Sequence, residues 1–557
     1  MKTREEVLQS IANQTFDVCV IGGGASGAGC ALDARLRGLT TLLLEALDFA
    51  SATSSASTKM AHGGVRYLEQ AIRKLDYAQY RVLKRSLRER IHMLRNAPFL
   101  TRTRHFLTPC SRWSEVAYFE AGLKLYDWIA GDAGLEKSRF VSRDEACRRL
   151  PALASRNLAG AVAYADGQFD DARYGVSLVQ TFRHAGGEAV NYARVTAFEK
   201  DATGKIVAAS VDDSISGREV ELIVRARSFV NATGPFSDSL REMSSPGIPP
   251  RVRLSKGVHI LLPLEIWSSS DALLIPKTDD GRVLFAIPWM GRLLVGTTET
   301  EVGIHDEIDV TREEVEYLLR HLNRYLFQPV SANQIVSAFA GVRPLVMSGT
   351  ASASRSNTKS LARDHVVELD VRSGLISLMG GKWTTYRAMA EDAIDQVQKY
   401  LGVPITPAGT RNHALLGSVN YTADYWKTLV ARYGVSELTA RHLSEKYGTQ
   451  SPRVLEIADQ DRELAAPLVA ALAPVCAEVV FGARDEMAMS IEDILARRIG
   501  LEWYGWREAV EAAPMVAKLL GRELGWSEAA EHRAAEEYIC AITNKMDKAG
   551  ITTSSSA

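Results

Sequence analysis

The stretch FDVCVIGGGASGAG, residues 16–29, decides the fold of this chain. Residues 16–21 form a short apolar run with the length and composition of a buried parallel strand. A G-x-G-x-x-G motif follows directly, and the chain then predicts a helix over residues 28–37. A strand, a glycine turn and a helix in this order predict a dinucleotide-binding βαβ unit. The glycines of the motif are Gly22, Gly24 and Gly27.

Each part of this turn has a physical role in holding a pyrophosphate. Gly22 permits the tight turn, Gly24 lets the backbone approach the ligand, and Gly27 allows the helix to pack closely on the strand. The helix N-terminus supplies N–H donors and positive potential, with Ala25 and Ser26 in its first turn. Glu45 ends the next predicted strand, where a carboxylate can accept from ribose hydroxyls. The motif alone does not distinguish NAD from FAD.

Composition excludes several classes of protein. The 557 residues predict two or three domains, and 46% hydrophobic with 24% charged residues is ordinary for a globular chain. A net charge of −1 gives no sign of nucleic-acid binding. The six cysteines are scattered without a C-x-x-C pair, so neither a disulfide framework nor a metal site is expected. No secretory signal opens the chain, and no apolar run approaches the ~20 residues of a membrane span.

The rest of the chain divides into regions of different character. Residues 155–350 alternate short β-like runs with Gly and Asp turns, and residues 375–390 again read as strand, glycine turn and helix. Prolines and a glycine in 402–409 predict a linker, and 420–545 is mostly Ala, Leu, Glu and Arg, as in helices. The tail 552–557 is expected to be disordered.

Two later segments favour FAD over NAD. The small, hydroxyl-rich loop TSSASTK at 53–59 follows Glu45, where FAD enzymes pass a segment alongside the flavin. A predicted strand at 225–234 ends in Thr233 and Gly234, and it resembles the return strand of FAD-binding folds.

With these motifs in view, the chain resembles the FAD-dependent glycerol-3-phosphate dehydrogenases, the respiratory, quinone-linked type. The resemblance covers residues 16–544. One small departure is Trp383, where a leucine is more usual. The motifs that carry the resemblance are IGGGASGAG at 21–29, TSSASTKMAHGGVRYLE at 53–69, YADGQFDDAR at 164–173, KGVHILLP at 256–263, IPWMGRLLVGTTET at 287–300, GVRPL at 341–345 and GGKWTTYR at 380–387.

The resemblance implies an α/β, mixed α+β, architecture of the D-amino-acid-oxidase-like type. It combines a Rossmann-type FAD-binding domain, a β-rich substrate domain and a helical C-terminal domain at 410–545. The oxidoreductase region spans 15–400, with FAD-binding segments at about 15–80, 155–240 and 335–400 and substrate or cap segments at about 81–154 and 241–334.

The implied reaction oxidises sn-glycerol 3-phosphate at C2 to dihydroxyacetone phosphate, with FAD as cofactor and a quinone as electron acceptor. Holding a phosphate dianion requires cations, and Arg66, Arg343 and Lys382 all lie in or beside glycine-rich turns. Tyr67 and Thr384 are secondary candidates for substrate contacts. The catalytic candidates are these three cations together with two histidines, His62 and His259, either of which suits proton transfer near neutral pH.

The resemblance also implies a broad set of cofactor-binding residues, drawn from every glycine-rich or hydroxyl-rich turn. These residues are Gly22, Gly24, Ala25, Ser26, Gly27, Glu45, Thr53, Ser54, Ser55, Ser57, His62, Gly63, Gly64, Val195, Thr233, Gly234, Gly341, Arg343, Gly380, Gly381, Lys382, Trp383 and Thr384.

A basic amphipathic segment at 73–95 carries eight Lys and Arg residues. Such a helix can lie on anionic lipid, but a helix with its apolar stripe against the protein core is the preferred interpretation. The family resemblance independently implies peripheral attachment to the inner, cytoplasmic face of the cell membrane, and it leaves homodimer formation open.

Three alternatives stay open at this point. The first is a glycerol-3-phosphate oxidase that reduces O₂, although the chain has no long insertion typical of those oxidases. The second is an amino-acid oxidase of the same superfamily. The third, from a different class, is a non-catalytic flavoprotein, which the presence of the HGGVR, GVRP and GGK cations disfavours.

Overall fold

A computed structural model of the protein describes residues 2–64, 77–215, 221–347 and 364–551. The described residues contain three β-sheets and the helices that connect and cover them. The helices are Arg4–Ile11, Ala25–Leu36, Tyr77–Asn96, Trp113–Ala130, Arg143–Arg149, Asp171–His184, Ser237–Ser244, Arg312–Asn323, Tyr386–Leu401, Tyr425–Tyr433, Glu437–Tyr447, Ser451–Ala458, Arg462–Ala465, Ala477–Glu486, Leu501–Tyr504, Trp506–Leu524 and Glu528–Ala549, with a π-helical turn at Asp493–Arg498.

A six-stranded sheet carries the glycine turn. The strand Val18–Ile21 is central in it, parallel to both neighbours and buried at all four residues, as its continuous apolar run predicts. The glycine turn leaves the carboxyl end of this strand, which is where ligands bind in open parallel sheets. The strands of the six-stranded sheet are, in spatial order, His365–Leu369, Ile376–Gly380, Phe229–Asn231, Val18–Ile21, Thr41–Leu44 and Glu188–Val190.

The single strand expected at 225–234 is in fact two strands in two sheets. Glu221–Ala226 joins a four-stranded sheet, whereas Phe229–Asn231 lies beside the central strand of the six-stranded sheet. Residues 227–228 connect them, and no glycine or proline marks the bend there, so the sequence carries no turn signal. The four-stranded sheet has the order Thr15–Phe16, Glu221–Ala226, Ile206–Asp213 and Ala193–Lys200.

A mixed ten-stranded sheet forms the β-rich region. The predicted substrate segments supply much of it, but strands at 60–61, 160–169 and 337–346 from the predicted FAD-binding segments hydrogen-bond into it as well. Its main path is Thr300–Val302, Val252–Pro263, Arg292–Gly296, Leu284–Trp289, Ala272–Ile275, Thr101–Cys110, Gly160–Phe169 and Met60–Ala61; Ser337–Val346 pairs with Val252–Pro263, and Arg139–Ser142 pairs with Gly160–Phe169.

The C-terminal region is helical from Tyr425 to Ala549, as expected. Its apolar side chains do not form a separate core. They belong to one continuous cluster with the ten-stranded sheet, in which Val258 and Leu293 of the sheet join Leu443 and Ile494 of the helices.

The part of the basic segment that the structure describes, from residue 77 onward, lies in the helix Tyr77–Asn96, and it packs as the preferred interpretation predicts. Leu83 and Leu87 are fully buried. The Arg90 guanidinium lies 2.7 Å from the Asp166 carboxylate in a buried ion pair. Among the described residues, no helix has the length and apolarity needed to cross a bilayer.

Candidate active site

The glycine turn leaves no room for side chains at two of its positions. Gly22 has φ +107°, in the left-handed region, and a Cβ there would lie 2.6 Å from the Ala232 carbonyl oxygen. A Cβ on Gly27 would lie 1.7 Å from the Gly22 carbonyl oxygen. Both positions therefore require glycine, for the reasons that the sequence motif gives.

Gly24 lies at the accessible rim of the turn and begins the helix Ala25–Leu36 without a side-chain cap. The Ala25 N–H donates to Oγ of Ser54 (3.0 Å), and a Cβ on Gly24 would lie 2.8 Å from that oxygen. Gly24 and Ser26 are half-buried while their neighbours are buried. A helix start with glycine at its N-cap position, which Ser54 approaches from the side, fits a pyrophosphate, so these residues fit FAD.

Glu45 closes the turn from the side of the next strand. The N–H groups of Gly23 and Leu47 donate to its two carboxylate oxygens, at 2.6 Å and 2.9 Å. Burial raises the pKa of Glu45, and these backbone hydrogen bonds offset only part of the effect. The sequence assigned this carboxylate to a ribose; in the structure it also holds the backbone of the motif.

The loop 53–59 connects three of the predicted motifs. The Thr53 hydroxyl donates to the Val342 carbonyl (2.6 Å), beside Arg343. The Trp383 indole N–H donates to the Ser54 carbonyl (2.8 Å), so the residue that departs from the family pattern fixes this loop. Ser55 is buried in the loop, and the Ser57 N–H donates to Asp171 (2.9 Å).

Other glycines allow close approaches around the same loop. A Cβ on Gly341 would lie 2.4 Å from the Ala56 carbonyl, and one on Gly63 would lie 2.7 Å from the Tyr126 hydroxyl. Positive φ angles occur at three more predicted positions, namely Gly64 (+91°), Gly380 (+74°) and Gly381 (+86°).

Two predicted cations lie half-buried at this loop. The Arg343 guanidinium donates to the Thr297 hydroxyl (2.9 Å), and Gly257 leaves it room, since a Cβ there would lie 2.3 Å from the guanidinium. The Lys382 ammonium donates to the Gly63 carbonyl (3.5 Å) and the Ser86 hydroxyl (3.3 Å). Lys382 thus reaches the HGG turn from the GGK turn.

Strand register places Arg343 and His259 on one face of the ten-stranded sheet. Ser255 pairs with Arg343, and His259 pairs with Phe339, in an antiparallel ladder. Because alternate residues of a strand share a face, His259, Gly257, Gly341 and Arg343 all point to the side that packs on loop 53–59. Two motifs 84 residues apart therefore meet at one surface.

The two candidate histidines differ in accessibility. His62 is half-buried, and its backbone N–H donates to the buried Thr384 hydroxyl (3.2 Å). His259 is only 1% exposed, with Nε2 3.0 Å from the Thr58 hydroxyl and its ring stacked on Phe339. Burial, then the charges of Arg343 and Lys59, lower the pKa of His259 well below its usual value, so its ring is neutral at pH 7.

Three further predicted residues lie in or just after strands that flank the turn. Val195 is buried in the strand Ala193–Lys200, whose first N–H donates to the Glu45 carbonyl. Thr233 donates from its hydroxyl to the Asn231 side chain (2.7 Å), and Gly234 has φ +56°. Arg66 and Tyr67 lie outside the described residues, and so does the tail 552–557.

Sequence reasoning missed Lys59, although it lies inside a quoted motif. Its ammonium is fully buried, 2.5 Å from both the Asp171 carboxylate and the Ser55 carbonyl, and about 5.0 Å from the ring centres of Phe339 and Trp503. A lysine within a run of small residues was the available signal. Its partner lies 112 residues away, so no local pattern could reveal the pair.

The βαβ turn, the return strand and the mixed sheet together define a flavin-dependent oxidoreductase of the D-amino-acid-oxidase type. The family described as FAD dependent oxidoreductase matches residues 17–387, and the family described as the C-terminal domain of alpha-glycerophosphate oxidase matches residues 408–531. FAD is the cofactor of this chain.

Comparison with similar proteins identifies the family within this class of flavoproteins. A probable mitochondrial glycerol-3-phosphate dehydrogenase of Caenorhabditis elegans is 39% identical over 96% of this chain and 74% of its own length. An Arabidopsis thaliana mitochondrial glycerol-3-phosphate dehydrogenase is 38% identical over 96% of this chain and 87% of its own length. A Bacillus halodurans glycerol-3-phosphate dehydrogenase solved with FAD has a TM-score of 0.78, 27% identity and 97% coverage of both chains. The chain belongs to the FAD-dependent glycerol-3-phosphate dehydrogenase family.

Proposed function

We propose that this protein oxidises sn-glycerol 3-phosphate at C2 to dihydroxyacetone phosphate and passes the electrons to a quinone. The observation that carries the proposal is that three half-buried polar residues, His62, Arg343 and Lys382, lie in or beside the glycine turns. His62 lies beside the turn that Lys382 contacts, and Arg343 enters from the sheet face packed on loop 53–59. This arrangement supports binding of a phosphate next to a group able to accept a proton.

In this proposal, Arg343 and Lys382 hold the substrate phosphate. An arginine fork matches two phosphate oxygens, and charge-assisted hydrogen bonds are stronger than neutral ones. Arg66 is a third candidate from sequence. Fixing the phosphate orients C2, so part of the binding energy lowers the barrier of the chemical step.

We assign the proton acceptor to His62, because a base has to touch the substrate hydroxyl and His259 is sealed in the interior. The Thr384 hydroxyl fixes the backbone of His62 and so aims the imidazole. When bound, FAD supplies the acceptor for the hydride that leaves C2.

Anaerobic reduction of the bound flavin tests the proposed substrate. Glycerol 3-phosphate should bleach the flavin absorbance, whereas glycerol at the same concentration should bleach it far more slowly. Absence of bleaching would favour a non-catalytic flavoprotein, and bleaching by amino acids would favour an amino-acid oxidase. Rates of re-oxidation by a short-chain quinone and by O₂ then separate the dehydrogenase from the oxidase.

Peripheral attachment to the inner face of the membrane belongs to the same proposal, and one helix supports it. Trp113–Ala130 exposes Trp113 (66%), Tyr118 (49%) and Trp128 (74%). Tryptophan and tyrosine favour the membrane–water interface because they combine an apolar ring with a polar group.

Two of the three carboxylates of this helix accept from backbone N–H groups, and the third pairs with a lysine of the same helix. Glu115 accepts from the Ser111 N–H (2.7 Å), Asp127 from the Ser138 N–H (2.6 Å), and Glu120 pairs with Lys124 (2.7 Å). At helical spacing Glu115 and Asp127 lie off the arc that carries the exposed aromatic rings, and Glu120 lies at its edge, where Lys124 balances its charge. This surface therefore supports contact with a bilayer, whereas the basic helix Tyr77–Asn96 turns its apolar stripe, with Leu83 and Leu87, to the protein core. A homodimer stays a prediction, which sedimentation analysis would test.

A further inference from the structure

A buried carboxylate next to the glycine turn is held by two arginines of the C-terminal region. Asp48 is 1% exposed. The Arg497 guanidinium donates to it at 2.5 Å, and the Arg498 guanidinium donates to both of its oxygens, at 2.7 Å and 2.9 Å. Burial raises the pKa of Asp48, but the two arginines outweigh burial and lower it, so the group is charged throughout the neutral range.

The loop that carries Asp48 lies directly against the G-x-G-x-x-G motif. The Ala50 N–H donates to the Gly23 carbonyl (3.0 Å). The Phe49 ring is packed on the same glycine, since a Cβ on Gly23 would lie 2.9 Å from it. Anything that displaces Asp48 therefore shifts the backbone that faces the pyrophosphate.

A second connection joins the C-terminal region to loop 53–59. The Lys446 ammonium lies 2.6 Å from the Asp170 carboxylate, and both groups are buried. The adjacent Asp171 accepts from the Ser57 N–H and pairs with Lys59. One acidic pair at the start of a helix thus holds the second cofactor loop on one side and the C-terminal region on the other.

A third ion pair closes the network between these two connections. Arg173 lies 2.5 Å from Glu486, and its guanidinium is stacked 4.4 Å from the Tyr447 ring centre. Glu486 is also 3.6 Å from Arg498. Buried charges running from Lys446 to Arg498 therefore contact both cofactor loops.

The chemistry of this interface differs from that of the neighbouring one. The C-terminal helices share a continuous apolar core with the ten-stranded sheet. Toward the two cofactor loops, buried ion pairs accompany a smaller apolar cluster that includes Ala56 of loop 53–59 and has Trp503 packed against it. Such pairs cost desolvation and contribute little net stability over an apolar interface, but breaking one leaves an uncompensated buried charge. They make the position of each loop depend sharply on its partner.

We propose that the C-terminal region is a cofactor-retention element, in which Arg498 and Lys446 act as positioning residues for the two loops that hold FAD. Seating of residues 446–498, which carry these ion pairs, and binding of FAD then stabilise each other, since coupling between two equilibria is reciprocal. The inference rests on the assignment of the glycine turn and loop 53–59 as the FAD site.

The test is the rate at which the holoenzyme releases FAD after dilution, followed by the rise in flavin fluorescence. Asp48→Asn and Lys446→Met should each speed release at least tenfold. Arg498→Lys, which keeps a charge on Asp48, should lie between them and the wild type. The matched control is Glu502→Gln, because Glu502 is a buried carboxylate bonded to Tyr538 and Lys545 within the C-terminal helices. It should change the release rate less than twofold although it lowers the melting temperature.

Equal release rates in Asp48→Asn and Glu502→Gln would overturn the inference, because the effect would then be general destabilisation. Hydrogen exchange of the wild type supplies an independent measurement if a variant does not fold. FAD should slow exchange in residues 477–506, and no change there would also contradict the inference. Gly24→Val tests the underlying site separately: if that variant retains FAD fully, the site assignment fails rather than the coupling.

Discussion

The half-buried residues at the glycine turns and the buried residues packed behind the cofactor loops are of the same types but serve different purposes. His62, Arg343 and Lys382 are half-buried at glycine turns. His259, Arg497 and Arg498 are buried, the histidine against Phe339 and Thr58 and the arginines on Asp48. This difference shows that residue type and neighbouring glycines can identify a candidate functional residue. Whether the residue can contact a substrate depends on its accessibility.

The largest expected effect separates the two histidines. His62→Asn should lower kcat by ~10²–10⁴-fold, the usual contribution of general base catalysis, with FAD content unchanged. His259→Asn should lower kcat less than tenfold and act mainly on thermal stability. Steady-state kinetics of both variants at saturating substrate make the comparison. A larger kcat loss in His259→Asn would reverse the assignment of the base.

The sealed arginines are expected to affect folding strongly. Arg498→Met leaves Asp48 charged and buried with one fewer cation, which should lower the free energy of unfolding by about 3–5 kcal/mol. With excess FAD present, kcat/KM should stay within about twofold of the wild type, since Arg498 does not touch substrate. Denaturant unfolding followed by tryptophan fluorescence measures the free energy of unfolding. A loss of kcat/KM without a loss of stability would contradict the assignment of Arg498 to structure rather than to substrate binding.

The accessible arginine should show the opposite behaviour. Arg343→Ala should lower kcat/KM for glycerol 3-phosphate at least ~100-fold, about 2.7 kcal/mol, because a charge-assisted contact to a dianion is lost. Arg343→Lys should also be impaired, since it keeps the charge but loses the planar fork. Glycerol is the control substrate, because it has no phosphate. An equal proportional loss with glycerol would show that Arg343 acts on the flavin or the chemical step.

A smaller effect concerns the exposed aromatic helix. Replacing Trp113 and Trp128 together by serine should weaken sedimentation with vesicles of mixed neutral and anionic lipid about tenfold, close to 1.4 kcal/mol. Val371→Ser is the matched control, because Val371 is 74% exposed like Trp128 but lies far along the chain in a turn. Unchanged vesicle binding of the tryptophan variant would show that this helix is not the surface that contacts the membrane.

The smallest expected effect is a pH dependence at the base of the GGK turn. Burial lowers the pKa of His365, but hydrogen bonds to Asp364 and Asp392 outweigh it and raise the pKa. A raised folded-state pKa stabilises the protein fully below the unfolded value of ~6.5, and this stabilisation is lost as pH rises through the folded value.

His365→Asn should therefore be less stable than the wild type by about 0.5–1.5 kcal/mol at pH 5.5, with the difference shrinking toward pH 9. Thermal unfolding of both proteins across this range measures it. A difference that grows with pH would show that the histidine is neutral in the folded protein.

The sequence alone determined the βαβ unit, the FAD cofactor, the helical C-terminal region and the residues that nominate the site. These features depend on local patterns: apolar periods, glycine spacing and motifs whose members lie within a few tens of residues. Even there, local patterning failed at 225–234, where two strands of different sheets follow each other without a glycine or proline between them.

Tertiary structure alone decided which nominated residues are accessible and what holds them. His62 and His259 both lie beside glycines, yet only packing shows that one is sealed. Asp48 meets Arg498 across 450 residues and Lys59 meets Asp171 across 112. Such pairs form because buried charges need partners wherever the fold brings them, and that requirement leaves no periodic trace in the sequence.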